Sequence, residues 1–218
     1  IPAECGLLMA NTFVSDHIAS LHQTPSYSHF CSTADLLPVY SYHKLLLQIL
    51  QYQKPPGRWL LKAPEHQAHL EILLKIYPDA NIIHTHRDPI ICMASTASLL
   101  QALYLIRSNK PFNSDQFEDI VLGNATAERL LRVIEQRKSG MIPANQILDS
   151  GYHDLLADPV RHIEGIYKYF KREFPRNMEQ EIFDYFSAKP RHKDGKHSYP
   201  VSEALLKDRG LFSKYQTK

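Results

Sequence analysis

Residues that could bind an anion or move a proton gather at two points of the chain, each after a short apolar segment. Lys62, Glu65 and His66 follow the first segment, while Arg87 follows the second, with Ser95 further along. An arginine beside a helix N-terminus, where free backbone amides favour negative charge, is suited to bind a phosphate. A lysine, a carboxylate and an imidazole close together are suited to stabilise charge and to accept a proton. The sequence therefore predicts an anion site and an acid–base site.

Alternative roles exist for each of these residues. Arg87 could pair with Asp88 or a neighbouring carboxylate, and Ser95 could simply pack within a helix. Lys62 could be a solvated lysine at a strand end, and His66 could make only a local hydrogen bond. Local chemistry alone does not decide between these roles. The choice depends on which strands and helices hold these residues.

Three short segments are predicted to be strands. They are apolar or β-branched and bounded by turn residues, as expected of strands covered on both faces. The segments are Arg58–Ala63, Asn81–His86 and Asn145–Asp149. Three strands make a thin parallel sheet, so at least one further core strand is expected before Ile1.

The segments between and after these strands are predicted to be helices. Asp88 and Pro89 are typical of an N-cap and a first helical residue, and that helix is expected to run to about Ile106. Apolar residues recur at helical spacing in the others. These cover residues 42–53, 66–76, 116–138 and 160–174.

The alternation of strands and helices predicts an α/β fold with a parallel sheet flanked by helices and a helix-rich C-terminal half. No repeat or linker divides the chain, so a single domain over residues 1–218 is expected. In such sheets, ligands bind outside the carboxyl ends of the strands, which is where both polar clusters fall.

Composition excludes several classes of protein. Lys and Arg number 25 against 23 Asp and Glu, a net charge of +2, so the chain is not built to coat nucleic acid or an acidic membrane. The 44% hydrophobic content excludes a disordered protein. Its apolar runs are shorter than the ~20 residues that span a bilayer. The 3 cysteines lack zinc-type spacing and indicate a reducing, cytoplasmic location.

Three motifs together resemble the sulfotransferases that use 3′-phosphoadenosine 5′-phosphosulfate (PAPS), in particular a bacterial-type branch with a W-x-L-K-x-P-x-H segment. The motifs are Trp59–His66, Tyr77–Ala80, and Thr85–Pro89 with Ser95. The resemblance extends over roughly residues 2–215. It implies a P-loop-NTPase-like fold, PAPS as donor and 3′-phosphoadenosine 5′-phosphate (PAP) as product.

The resemblance also implies roles for individual residues. Arg87 and Ser95 correspond to residues that bind the 3′-phosphate of the donor, and Tyr152 to a tyrosine near the adenine. Lys196 and His197 belong to a weaker match with a closing segment that often covers the nucleotide. The phosphosulfate-binding loop of the family has no counterpart in these 218 residues and is expected upstream, together with the first strand.

Sulfuryl transfer requires in-line geometry, stabilised charge on the transferring group and a base for the acceptor. Lys62 is predicted to reach the sulfonate or the bridging oxygen, and His66 to act as base with Glu65 in reserve. The acceptor is expected to be a hydroxyl of a small molecule, a lipid or a carbohydrate. Family resemblance leaves a homodimer open.

Two alternatives remain at this point. His66 with His69, and His84 with His86, are spaced like metal ligands, but spacing places no acidic or cysteine ligand beside them, so no metal is expected. The other alternative is a non-catalytic adenine-nucleotide-binding or scaffold protein that keeps only the 3′-phosphate site.

Overall fold

Helices surround a two-stranded parallel sheet in the computed structural model, which describes residues 4–22, 24–113, 122–189 and 208–216. The helices before the sheet are α1 (Cys5–Met9), α2 (Asp16–Leu21), α3 (Pro25–Thr33), α4 (Leu37–Gln51) and α5 (Leu70–Ile76). Along the chain, α6 (Pro89–Leu105) and α7 (Gly123–Lys138) come after the first strand and before the second. After them come α8 (Tyr152–Ala157), α9 (Pro159–Tyr169), α10 (Met178–Ala188) and α11 (Ser213–Gln216). Short 3₁₀ segments cover Ala10–Thr12, Pro64–His69, Ala144–Gln146 and Asp208–Phe212.

The sheet pairs β1 (Ile82–His86) with β2 (Ile147–Gly151) in parallel. The register runs from Ile82 opposite Ile147 to His86 opposite Gly151. Two of the predicted strands are therefore present. The second begins two residues later than predicted, because Ala144–Gln146 forms a 3₁₀ turn before it.

The prediction of a strand at Arg58–Ala63, the first along the chain, is wrong. The segment forms no ladder with the described strands, and a backbone hydrogen bond from Cys5 N to the Lys62 carbonyl links it to α1. Trp59 is 43% exposed and Leu60 is 92% exposed, so the apolar side chains are not covered on both faces. An apolar run becomes a strand only where a neighbouring strand takes up its backbone groups, and the described residues supply none here.

Helix boundaries follow their caps. Asp88 caps α6 as predicted, because its Oδ1 accepts a hydrogen bond of 2.9 Å from Ile90 N. Helix α4 begins earlier than predicted, where Asp35 Oδ1 accepts from Leu37 N at 2.9 Å. Helix α9 ends at Tyr169, short of the predicted end, because Lys171 adopts the left-handed conformation with φ 52°.

Helix α7 joins the two largest parts of the core. Its Leu130 packs in a cluster with Ile90 and Met93 of α6 and with Phe212 from the C-terminal segment. Its Val133 packs in a second cluster, with residues of α5 and β2. The helix thus covers the sheet and holds the C-terminal segment against α6.

The three cysteines are free thiols. Among the described helices, none combines the length and the apolar content that crossing a membrane requires.

Candidate functional site

A cleft of about 500 Å³ opens at the carboxyl ends of β1 and β2. It is walled by the ends of both strands, by α7, and by the starts of α6 and α8, with the C-terminal segment at one side. Its lining residues are His84, His86, Arg87, Asp88, Pro89, Val133, Ile134, Arg137, Asp149, His153 and Tyr215. This is the edge at which the sequence predicted a ligand, and five of the lining residues are arginines or histidines.

Arg87 stands at the mouth of this cleft with its guanidinium over the Tyr152 ring, 4.4 Å from the ring centroid. The Arg87 side chain is exposed, and Tyr152 is half-buried. Asp88 does not pair with Arg87; its carboxylate caps α6 and lies 3.5 Å from the guanidinium of Arg209. Among the described residues, no carboxylate forms an ion pair with Arg87, so the guanidinium is positioned by an aromatic ring and remains available to an anion.

Ser95 lies in α6, on the second turn after its N-terminus, and is half-buried. It is not among the residues that line the cleft. The structure brings Arg87 and Tyr152 together but does not place Ser95 in contact with either. Its role in binding the 3′-phosphate stays a prediction.

His66 is held within the 3₁₀ segment Pro64–His69 by the phenol of Tyr40. The distance between Tyr40 Oη and His66 Nδ1 is 2.8 Å. Burial, together with the nearby imidazoles of His43 and His69, lowers the pKa of His66 to about 4. His66 is therefore neutral at physiological pH, as a general base must be, but it binds a proton weakly.

Glu65 supports the chain locally. Its Oε1 accepts hydrogen bonds from Ser15 Oγ and His17 N, both at 2.9 Å. Burial and the charge of Asp16 raise the pKa of Glu65. A carboxylate tied into the first turn of α2 in this way acts as a helix N-terminal anchor, a contact that sequence reasoning did not find because Ser15 lies far away along the chain.

Lys62 points to solvent. Its side chain is 71% exposed and forms an ion pair with Glu4, while its carbonyl accepts from Cys5 N. Lys62, Glu65 and His66 are absent from the lining of the cleft. The 3₁₀ segment that holds Glu65 and His66 nevertheless contacts β1, since Gln67 Nε2 lies 3.2 Å from Nε2 of His84.

A polar network that sequence reasoning missed fills the inner wall of the cleft. Asp149 on β2 accepts from Nη1 of Arg137 at 2.7 and 2.9 Å, and its Oδ1 lies 2.8 Å from His86 Nε2. The other ring nitrogen of His86 contacts the phenol of Tyr215, and the two rings stack. Burial acts to raise the pKa of Asp149, but the hydrogen bonds from Arg137 and His86 hold it below its usual value. Aligning the two predicted strands in parallel would have predicted this group, because that register sets Asp149 opposite His84.

Burial also raises the pKa of Tyr215 to about 12 and lowers that of His84 to about 4. At neutral pH both side chains are therefore uncharged. Lys196 and His197, predicted from the closing segment, lie outside the described residues.

Comparison with known proteins agrees with the motifs. The family model described as "Sulfotransferase family" matches residues 2–176. Among curated proteins, omega-hydroxy-beta-dihydromenaquinone-9 sulfotransferase Stf3 from Mycobacterium bovis is 26% identical over 156 residues, which is 70% of this chain. The protein of the same name from Mycobacterium tuberculosis matches equally. The chain spans 39% of the length of these relatives.

Two solved structures share the fold. Sulfotransferase STF9 from Mycobacterium avium superposes with a TM-score of 0.86 and 24% identity over 99% of this chain. Sulfotransferase STF1 from Mycobacterium tuberculosis H37Rv superposes with a TM-score of 0.80 and 27% identity over 97% of it. This chain covers 55% of each of those chains. The predicted α/β fold is confirmed as the one these proteins adopt.

Proposed function

Because the chain belongs to the sulfotransferase family, we propose that it binds PAPS and takes part in transferring the sulfonate group of PAPS to an acceptor hydroxyl, with PAP as product. The observation that carries this proposal is the position of Arg87. Its guanidinium lies over Tyr152 at the carboxyl end of β1, beside the start of α6, and has no carboxylate partner among the described residues.

On the donor side, Arg87 contributes a planar, permanently charged group that can bind a phosphate through two hydrogen bonds. Tyr152 holds that group in place and offers an aromatic surface beside an adenine ring. Ser95 is proposed as a second 3′-phosphate ligand, and Lys196 and His197 as residues that close over the nucleotide. These assignments rest on the family motifs, and the Arg87–Tyr152 contact supports those of Arg87 and Tyr152 alone.

In the transfer step, the acceptor oxygen forms a bond to sulfur as the bond from sulfur to the bridging phosphate oxygen breaks. The acceptor hydroxyl loses its proton, and the electron pair of the breaking bond stays on PAP. His66 is the proposed base in the tautomer whose Nδ1 donates a hydrogen bond to Tyr40 Oη, because Nε2 then carries the lone pair that accepts the proton. Lys62 would leave Glu4 to neutralise charge on the sulfonate, and Glu65 is the less suitable base because Ser15 and His17 occupy its Oε1. This transfer needs no metal ion.

For the acceptor, we propose a lipid alcohol as the first class to test, among the small-molecule, lipid and carbohydrate hydroxyls that the family resemblance allows. The support is the name of the curated relatives, which describes a sulfotransferase acting on a hydroxylated dihydromenaquinone. The free thiols of all three cysteines support a reducing, cytoplasmic location. A homodimer stays a prediction.

One observation favours the alternative of a non-catalytic nucleotide-binding protein. Lys62 and Glu65 are both engaged in contacts that hold the chain together, with Glu4 in one case and with Ser15 and His17 in the other. Donor binding without transfer is therefore the competing function.

The test compares the binding of PAP and of 5′-AMP by calorimetry. We expect PAP to bind more tightly, and Arg87→Ala to weaken PAP binding by ~10- to 150-fold, the loss of about 1.5–3 kcal/mol for a charge-assisted phosphate contact. Arg172→Ala, which removes an exposed arginine outside the cleft, is the matched control and leaves PAP binding unchanged. Equal affinity for PAP and 5′-AMP would refute the donor proposal. Tight PAP binding with no sulfonate transfer from PAPS to a panel of hydroxyl acceptors would favour the non-catalytic protein.

A further inference from the structure

The geometry points to a binding site for a divalent transition-metal ion such as Zn²⁺, formed by His84, His86 and Asp149 on the inner wall of the cleft. This inference does not depend on the proposed function, because none of its three ligands takes part in the proposed transfer.

Parallel pairing of the strands creates the site. His84 and His86 are two positions apart on β1, so their side chains lie on the same face of the sheet. Asp149 is the register partner of His84 on β2 and brings a carboxylate to that face. Spacing along the sequence places no acidic ligand near these histidines. Strand pairing supplies that ligand from far along the chain.

Distances among the three ligand atoms suit a small cation. Asp149 Oδ1 lies 2.8 Å from His86 Nε2 and 3.7 Å from His84 Nδ1, and all three atoms lie within 4.8 Å of one another. A tetrahedral zinc ion with bonds of about 2.0–2.1 Å separates its ligand atoms by about 3.3 Å. Small movements of the side chains therefore bring the three atoms around one ion, and two imidazoles with one carboxylate are a ligand set that Zn²⁺ accepts.

His84 Nδ1 is the observation that points most directly to a ligand. The side chain is 7% exposed, and Nδ1 is buried with no hydrogen-bond partner among the residues that the structure describes. The other ring nitrogen of His84, Nε2, lies 3.2 Å from the side-chain amide nitrogen of Gln67. A half-turn of the Gln67 amide places its oxygen there, so that Nε2 carries the proton and Nδ1 presents a lone pair toward Asp149.

The surrounding residues hold the ligands as the outer shell of a metal site does. When His86 carries its proton on Nδ1, it donates to the Tyr215 phenol, and Nε2 is free to bind the ion. Arg137 can keep Asp149 Oδ2, at 2.9 Å, while Oδ1 turns to the ion. The charge of Arg137 opposes a cation, so we expect a site weaker than a closed structural zinc site.

The cleft supplies the remaining coordination position. All three ligands line it, so water or a small anion can reach the ion from solvent. Two imidazoles and a carboxylate with one open position make an accessible site, not a closed one.

The experiment titrates the chelator-treated chain with Co²⁺, which reports tetrahedral binding by its visible d–d absorption, and then displaces Co²⁺ with Zn²⁺. We expect a single ion per chain. His84→Gln and Asp149→Asn are expected to weaken Co²⁺ binding by about 100-fold or more, and Tyr215→Phe, which keeps all three ligands, by about 10-fold. The matched control is His29→Gln, which removes an exposed imidazole of α3 and leaves binding unchanged.

Circular dichroism of each variant separates lost binding from lost folding. If the ligand variants do not fold, the native absorption spectrum and the Tyr215→Phe affinity decide the question. Absence of d–d absorption in the native chain would overturn the inference. An unchanged Co²⁺ affinity in both His84→Gln and Tyr215→Phe would also overturn it. The same holds if His29→Gln weakens Co²⁺ binding as much as those two variants do.

Discussion

Removing the Glu65 carboxylate is expected to loosen the contact between α2 and the 3₁₀ segment Pro64–His69. Glu65 Oε1 accepts from Ser15 Oγ and His17 N, so Glu65→Ala breaks two hydrogen bonds to a charged group. Neither donor is left without a partner. Ser15 Oγ can still donate to the Gly6 carbonyl at 2.9 Å, and His17 N can still donate to Ser15 Oγ at 3.1 Å.

The magnitude follows from those remaining contacts. Each hydrogen bond to a charged group is worth about 1.5–3 kcal/mol, but both donors keep an acceptor, so the expected cost is that of one bond, about 2 kcal/mol. For a chain of this size, that cost lowers the melting temperature by about 4–8 °C. Glu65→Gln keeps the accepting oxygen and removes a buried charge, so its stability is expected within about 1 kcal/mol of the native chain.

Urea denaturation and thermal unfolding followed by circular dichroism measure both effects. Glu164→Ala is the matched control, because Glu164 is exposed on α9, and the expected change is within about 0.5 kcal/mol. The anchoring role would be refuted if Glu65→Ala were as stable as the native chain. It would also be refuted if Glu65→Gln lost as much stability as Glu65→Ala. The pair also separates structure from catalysis: a base at Glu65 would make Glu65→Gln stable but inactive.

Two further predictions concern pH. The pKa of Asp149 is depressed in the folded chain, so its contribution to stability is present above the unfolded pKa of about 3.9 and is lost as the pH falls through the folded value. Asp149→Asn therefore flattens the acid side of the stability profile measured by urea denaturation, and an unchanged acid side would contradict the role assigned to Arg137 and His86. His66 is expected to titrate at about 4 in an NMR titration of its imidazole, because it is buried against Tyr40. Titration near 6.5 would show that His66 is solvated.

Local patterns in the sequence were sufficient for several features of the site. The β-branched run at residues 82–86 and the capping pair of Asp88 and Pro89 specify a strand followed by a helix, and the structure has both. Arg87 lies between them at the carboxyl end of the strand, so its position at a ligand-binding edge follows from local order alone. These features depend on residues within a few positions of one another, which is why the sequence predicts them.

Contacts between distant residues decided the rest. Segment 58–63 has the composition of a strand but finds no pairing strand among the described residues, and Glu65 has the chemistry of a base but anchors α2 through Ser15. Asp149 faces the histidines of β1, and Tyr152 lies under Arg87, only because two parallel strands align in one register. Register and burial depend on surfaces that meet after the chain has folded, so a list of residue types does not contain them.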